Sequence, residues 1–428
     1  MNRRHGRGCI VLKFKATLTT LLILLSTQFA TSASADDRQE KWDLAWRTLY
    51  EENRPLKAIG DLDSLMKTGW IHTNTFAQFY AFTGNLIETE FLAHAYLAED
   101  IVDPPIELIC EAYMRIPATE AIMDVARNAK LVMMNENHYS PLHRAFASQV
   151  IGVLRPIGFS LFGAETFSEV VAERSDRLTS PTLDLGVYSA EPMFGDLIRH
   201  AIAQGYVLFP YEQTAAQLVD GVDENTRRAV REQSQAANIK RVIDDNADKL
   251  VFIYGTHIRK TPGNGSNTMM AYRLQQLTGI EPISIDQTGG TPSSARRYQT
   301  PLYRGVERCG KLDYPVALRK RDGTYLARDG YDITIFFPHT NYSIGGRPDW
   351  LISIGGRAFL SLRLQPAAQQ TLVRIFVRDE ADDAVAIDHV LAPPESDRVT
   401  VALPKGHYRA VREWPDGTQN DLGELTID

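Results

Sequence analysis

Glu136-Asn-His138-Tyr-Ser-Pro-Leu-His143-Arg144 is the densest polar cluster in the chain. It sets a carboxylate two residues from an imidazole, then a second imidazole and a guanidinium at the start of a helix. A carboxylate bonded to one ring nitrogen fixes the histidine tautomer and leaves the other nitrogen free to take a proton from water. Pro141 suits a first helical turn, where unpaired N–H groups favour anions and lower the pKa of a nearby imidazole. Further along, Glu165 (in GAETF), Glu212 (in PYEQ) and His257 (in YGTH) each follow a short apolar run beside Gly or Pro. One ionisable residue at a strand end is common, whereas its recurrence at successive strand ends marks a site.

The expected catalytic residues are therefore His138, Glu136, Glu165 and His257. Arg144, His143, Tyr139, Glu212 and Arg231 are expected to contact substrate, with Arg144 and His257 polarising a carbonyl or holding a carboxylate. The pocket is expected to be lined by Tyr139, Tyr211 and the Gly289–Arg308 segment, with Arg144 near its wall. Two carboxylates and two imidazoles in one place would equally suit a divalent metal, so the cofactor stays open at this point. His339, after the last apolar run, is as readily a structural hydrogen-bond partner as a site residue. No P-loop, GxSxG, HExxH or CxxC motif is present.

These residues need a sheet to bring them together. Lys130–Met134, Phe159–Phe162, Tyr206–Pro210, Leu250–Tyr254, Pro282–Ile285 and Asp332–Phe337 are continuous apolar runs, not alternating ones. That is the pattern of parallel strands covered on both faces by helices. Leu142–Ile157, Asn225–Asn246 and Met269–Leu277 have helical spacing between them. In such a fold the chemistry sits at the carboxyl ends of the strands. The fold class is α/β, mainly a parallel sheet flanked by helices, with a helical N-terminal unit over 36–116 and the α/β domain over 117–350. Trp42, Trp46, Phe76 and Phe79 in the helical unit are read as core. After residue 350 the pattern alternates apolar and polar between Pro, Gly and Asp turns, which predicts a sandwich-like antiparallel β module over 351–428. Gly289–Arg308, rich in Gly, Pro, Ser and Arg, is expected to be an irregular loop over the site or an edge hairpin.

Arg3, Arg4, Arg7, Lys13 and Lys15 precede an apolar stretch centred on LLILL, and Ala33-Ser-Ala35 fits a cleavage site. An apolar stretch of about 15 residues falls short of a bilayer span, so 1–35 is read as a cleaved signal peptide with no stable membrane span left afterwards. The expected location is periplasmic or secreted. Cleavage removes Cys9 and leaves Cys110 and Cys309, which form either a disulfide or two separate buried thiols. The net charge of −7 and the lack of a basic stripe exclude a nucleic-acid partner. A small-molecule or peptide substrate is expected.

At the polar cluster the chain resembles the erythromycin-esterase-like group and its relatives, the ChaN-like and Tiki/TraB proteins. Those families open with a strand and Gly-Glu-x-(x)-His, then a helix with His or Arg, then a strand ending in Glu. A later strand ends in a second His motif. NENHYSPLHR matches the opening, with Asn135 where the families place Gly; GAETF matches the strand-end Glu; RREQSQAANI and VFIYGTHIRK match the later helix and second His. The match spans Lys130–Thr288. The resemblance implies a hydrolase-like site with His138 as general base and Glu136 and Glu165 as its partners. The group includes esterases, metal-dependent peptidases and haem-binding proteins, so an exported hydrolase of ester, lactone or amide bonds is expected. A non-catalytic periplasmic ligand-binding protein is the alternative, with Tyr139 and His143 as haem ligands.

Overall fold

The computed structural model describes residues 37–95, 110–263, 267–295, 298–342 and 344–428. The expected signal segment lies outside the described residues. The chain opens with helices α1 (37–50), α2 (Pro55–Lys67), α3 (Thr73–Ala81) and α4 (Leu86–Ala95). Leu49, Leu62, Phe76, Phe79 and Phe82 fill the core between them, and Trp42 packs edge-on against Phe79 at 5.5 Å. Then come β1 (Tyr113–Pro117), α5 (Ala118–Ala126), β2 (Leu131–Met134), α6 (Pro141–Leu154), β3 (Phe159–Ala164), α7 (Val170–Arg174) and α8 (Pro192–Ala203). They are followed by β4 (Val207–Pro210), α9 (Glu224–Asp245), β5 (Leu250–Tyr254), α10 (Met270–Thr278), β6 (Ile283–Asp286), α11 (Pro301–Glu307), β7 (Val316–Lys320), β8 (Ile333–Thr334) and α12 (Trp350–Ser353).

Six strands form one parallel sheet in the order β4-β3-β5-β2-β6-β8. Val132 and Met134 of β2 face the core shared with α6 and α8, while Leu131 and Met133 face the core shared with α9 and α10. Burial on both faces is why these strands read as unbroken apolar runs. The crossovers from β2 and β3 run one way with α6 and α8 on one face. The crossover from β5, which lies between β2 and β3, runs the other way with α10 on the opposite face. A crevice therefore opens at the carboxyl end of β5, the switch point of the sheet.

Three expectations change. The helical unit does not reach residue 116: Tyr113–Pro117 is a strand paired antiparallel with β7, because Pro117 halts any helix and an aromatic/apolar run finds an edge partner. The last parallel strand is shorter than Asp332–Phe337: beyond Thr334 the chain leaves β6, and Phe336 bridges Val316 antiparallel. Gly289–Arg308 is not a hairpin; it contains α11, started by Pro301 and capped by the Thr300 side chain. Cys110 and Cys309 form a disulfide with Cα atoms 5.1 Å apart, which settles that alternative.

The tail consists of β9 (Ala358–Arg363), β10 (Thr371–Val377), β11 (Asp388–Ala392), β12 (Arg398–Leu403), β13 (Gly406–Glu413) and β14 (Gln419–Ile427). They pair antiparallel as β11-β10-β13-β14 and β12-β9 around Val373, Ile375, Val401, Leu403 and Tyr408. Buried ion pairs dock this module: Arg347 to Asp388 and Arg357 to Asp196, each at 2.6 Å. Among the described residues no helix is long and apolar enough to cross a membrane.

Candidate active site

β2 and β5 are direct parallel neighbours, and β3 flanks β5 on its other side. Residues just past their ends must therefore meet. Asn135 fixes the chain where it leaves β2: its side chain donates to Asp286 at 2.8 Å and accepts the Gln287 N–H at 2.8 Å. The next carboxylate, Glu136, is 3 % exposed and accepts the His138 Nδ1–H at 2.9 Å and the Arg144 Nε–H at 3.1 Å. Arg144 also donates to Glu191 at 2.8 Å and to the His138 carbonyl at 2.7 Å, so the loop is tied at both ends. Glu191 in turn caps α8 through the N–H groups of Met193 and Phe194, each at 3.0 Å. Burial pushes the Glu136 carboxyl up, but Arg144 and then His138 overcome it and hold it at about 2.

With Nδ1 donating to Glu136, the other His138 nitrogen is the basic one. Nε2 lies 3.3 Å from the Thr256 hydroxyl, and the ring stacks on Tyr188 with centroids 4.2 Å apart at 12°. The His138 side chain is 22 % exposed, and this ring edge opens into a cavity.

His257 forms a second pair. Its Nδ1–H donates to the buried Glu232, whose other oxygen accepts the Met270 N–H at 2.6 Å. Its Nε2 lies 3.5 Å from Glu165 and 3.2 Å from Arg231 Nη1. Burial works against the imidazolium, yet the Glu232 bond and the Glu165 charge outweigh it and raise the His257 pKa. Glu165 lies beside His257 and lines the same cavity as His138. It accepts the Thr256 N–H at 2.7 Å and the Arg231 Nη2–H at 2.8 Å. Burial again raises this carboxyl, and His257, His138 and Arg231 together bring it down to about 2. Arg231 also bonds Glu212, at 2.9 Å through Nε, and Gln235 supports the same carboxylate at 2.9 Å.

The cavity holds about 690 Å³, a size suited to a small organic molecule or a short peptide segment. Its floor carries His138, Glu165, Glu212, Arg231 and His257; its walls carry Trp46 of the helical unit, Val187 and Tyr188. Gly255 makes the convergence possible. A Cβ there would lie 2.2 Å from the Tyr211 hydroxyl and 2.8 Å from the Glu165 Cβ.

The structure brings together His138, Glu136, Glu165, His257, Glu212 and Arg231. It does not bring the others. Arg144 and His143 are fully buried, because the first turn of α6 faces the core and not the crevice, so neither can contact substrate. Both His143 nitrogens are engaged, Nδ1 by the Asn137 N–H at 3.0 Å and Nε2 by Thr291 at 2.7 Å, and burial lowers its pKa to about 4. Tyr139 turns away into a different cavity together with the segment after β6, and Tyr211 lies buried behind Gly255. His339 sits at the surface, 2.5 Å from Glu307. Glu232, Thr256 and Tyr188 were not anticipated. The one sequence signal for Glu232 is its place next to Arg231 on an otherwise polar helix.

Neither cofactor expectation fits these side chains. Among the described residues no three His, Cys, Asp or Glu groups gather as a metal site. The carboxylates are already engaged by guanidinium, imidazole or backbone N–H groups. The engaged nitrogens of His143 leave no lone pair for haem iron.

No protein-family model and no curated protein matches the chain. Among solved structures the chain is similar to the type III effector HopBA1, at 11% identity and a TM-score of 0.35, covering 55% of this chain and 99% of that one. It is also similar to RRSP, a MARTX toxin effector domain from Vibrio vulnificus CMCP6, at 15% identity and a TM-score of 0.30, over 43% of this chain and 37% of that one. A structure described as bacterial protein toxins gives 12% identity and a TM-score of 0.29, over 48% and 40%. At these scores none of the three bears on what the chain does.

Proposed function

We propose that the chain is an exported hydrolase that cleaves an ester, lactone or amide bond of a small-molecule or peptide substrate. The observation that carries this reading is His138. One of its nitrogens is held by the buried Glu136 carboxylate, and the other faces a cavity floored by His257, Arg231 and Glu165. His138 Nε2 takes a proton from water as the water oxygen bonds to the substrate carbonyl carbon. The carbonyl oxygen gains the displaced electron pair. The His257 imidazolium and the Arg231 guanidinium, on the same cavity floor, supply the cationic donors that stabilise that oxyanion. The imidazolium of His138 then returns its proton to the departing oxygen or nitrogen as the bond breaks. Glu165 is a positioning residue, because it holds both Arg231 and the Thr256 backbone.

This reading agrees with the implications of the erythromycin-esterase-like resemblance. The disulfide supports export, since such bonds persist in oxidising compartments, and so does the basic-then-apolar N-terminal sequence. The test is a panel of ester, lactone and amide substrates given to protein purified from the periplasm. His138→Ala is expected to lower turnover by about 10²–10⁴-fold while costing about 1 kcal/mol of stability. Turnover unchanged in that variant, or turnover of no member of the panel, overturns the proposal.

A further inference from the structure

A second cavity, of about 240 Å³, lies on the other side of the His138 loop. Asn137 and Tyr139 open onto it, while His138 between them opens onto the larger one. Its walls come from three parts of the chain: Glu90 and His94 from α4, Tyr139 from the loop, and Tyr298 and Trp350 from beyond β6. Three aromatic rings and one carboxylate therefore face a common space.

The charge balance of this space is uneven. Arg328 reaches it, but its guanidinium is bound to Asp286 at 2.5 and 2.7 Å. His94 accepts the Ser294 N–H at 3.1 Å, and burial pushes its pKa down to about 4, so it brings no positive charge. Tyr139 and Tyr342 carry none. Among the described residues no ion pair to a lysine or arginine holds the Glu90 carboxylate, and the Tyr342 hydroxyl is the polar group beside it. A carboxylate in such a place lacks the cation that buried carboxylates ordinarily have.

We infer that this cavity binds a small organic ammonium ion, its charge on Glu90 and its alkyl part against the Tyr139, Tyr298 and Trp350 rings. Carboxylate plus aromatic walls is the chemistry that recognises such ions, because the ring faces attract the cation and the carboxylate neutralises it. Burial pushes the Glu90 carboxyl up to about 7, and a bound cation would favour its ionised form. The inference does not rest on the hydrolase reading, since its readout is binding.

The test is calorimetry on the full-length mature protein at about pH 8, where alkylammonium ions remain charged. Choline is compared with its neutral isostere 3,3-dimethylbutan-1-ol, and n-butylammonium with n-butanol. Saturable binding of at least one ammonium ion is expected, with its neutral counterpart about tenfold weaker or more. Glu90→Gln is expected to lose that preference and to melt no lower than wild type, because it replaces a partly buried carboxylate that no cation holds with a neutral amide. Absence of ammonium binding to folded wild type, equal binding of the neutral isostere, or an unaltered preference in Glu90→Gln overturns the inference. The isostere comparison on wild type decides the matter even where the variant does not fold.

Discussion

His138 and His257 are built alike but sit in different surroundings. Each donates Nδ1–H to a buried carboxylate and turns Nε2 toward the same cavity. The difference is the neighbour of Nε2. For His138 it is the neutral Thr256 hydroxyl; for His257 it is Arg231 and the Glu165 carboxylate, and the Glu232 bond together with the Glu165 charge raises its pKa against burial and Arg231. The surroundings of His257 favour its cation, and in the proposed reaction His138 is the base. Glu232→Gln removes a principal support of the charged His257. The alkaline limb of the rate–pH profile is then expected to move to lower pH, with the fold retained. A limb that does not move would separate Glu232 from catalysis. Stability carries a matching signature. Glu136 and Glu165 are depressed from 4.5 to about 2, so their contribution is full above about 4.5 and disappears as pH falls toward 2. His257 is raised from 6.5, so its contribution is full below 6.5 and disappears as pH climbs through the raised value. His143 and His94 are lowered from 6.5 to about 4, so stability also falls as pH drops below 6.5; melting followed across pH should be highest near 6.5 and decline on both sides, and a decline confined to one side would contradict the charge assignments.

At the scale of elements, the strand ends do the positioning. Gly255 is where β5 turns against β3, and no side chain fits between Tyr211 and Glu165. Gly255→Ala is expected to cost about 1–3 kcal/mol and to displace Glu165, lowering activity more than the stability change explains. Full activity with normal melting in that variant would show that the strand end can yield. The parallel sheet was legible because each of its strands is a buried apolar run, and Glu165, Glu212 and His257 were legible because each follows such a run. Glu232 was not, because a helix with a solvated face gives no sign of which of its charges turns inward. Arg144 and His143 were misjudged for the converse reason. Polar residues in a first helical turn look available, but α6 presents that turn to the core, where Glu136 and Glu191 receive the guanidinium. β1 was hidden because its partner β7 is some two hundred residues away in sequence, beyond the reach of any local pattern.

Across the whole molecule, the helical unit, the α/β domain and the β module each contribute to one arrangement. Trp46 of the helical unit walls the larger cavity, and His389 of the β module donates to the Phe82 carbonyl at 2.6 Å. The Cys110–Cys309 disulfide, 199 residues apart in sequence, encloses every strand-end residue of the candidate site. In covalent terms it makes this part of the chain a ring, with the helical unit and the β module as its two tails. A backbone cut inside a ring does not divide a molecule, whereas a cut in a tail releases a piece. The exposed Leu218 and Val219, between β4 and α9, offer a protease such a place inside the ring. Limited proteolysis there is expected to leave one band on a non-reducing gel and two after reduction; two bands without reductant would show that the bridge is not formed. Opening the ring by Cys110→Ser with Cys309→Ser is expected to cost about 2–5 kcal/mol. A protein of this design can be nicked by a protease and still remain a single molecule.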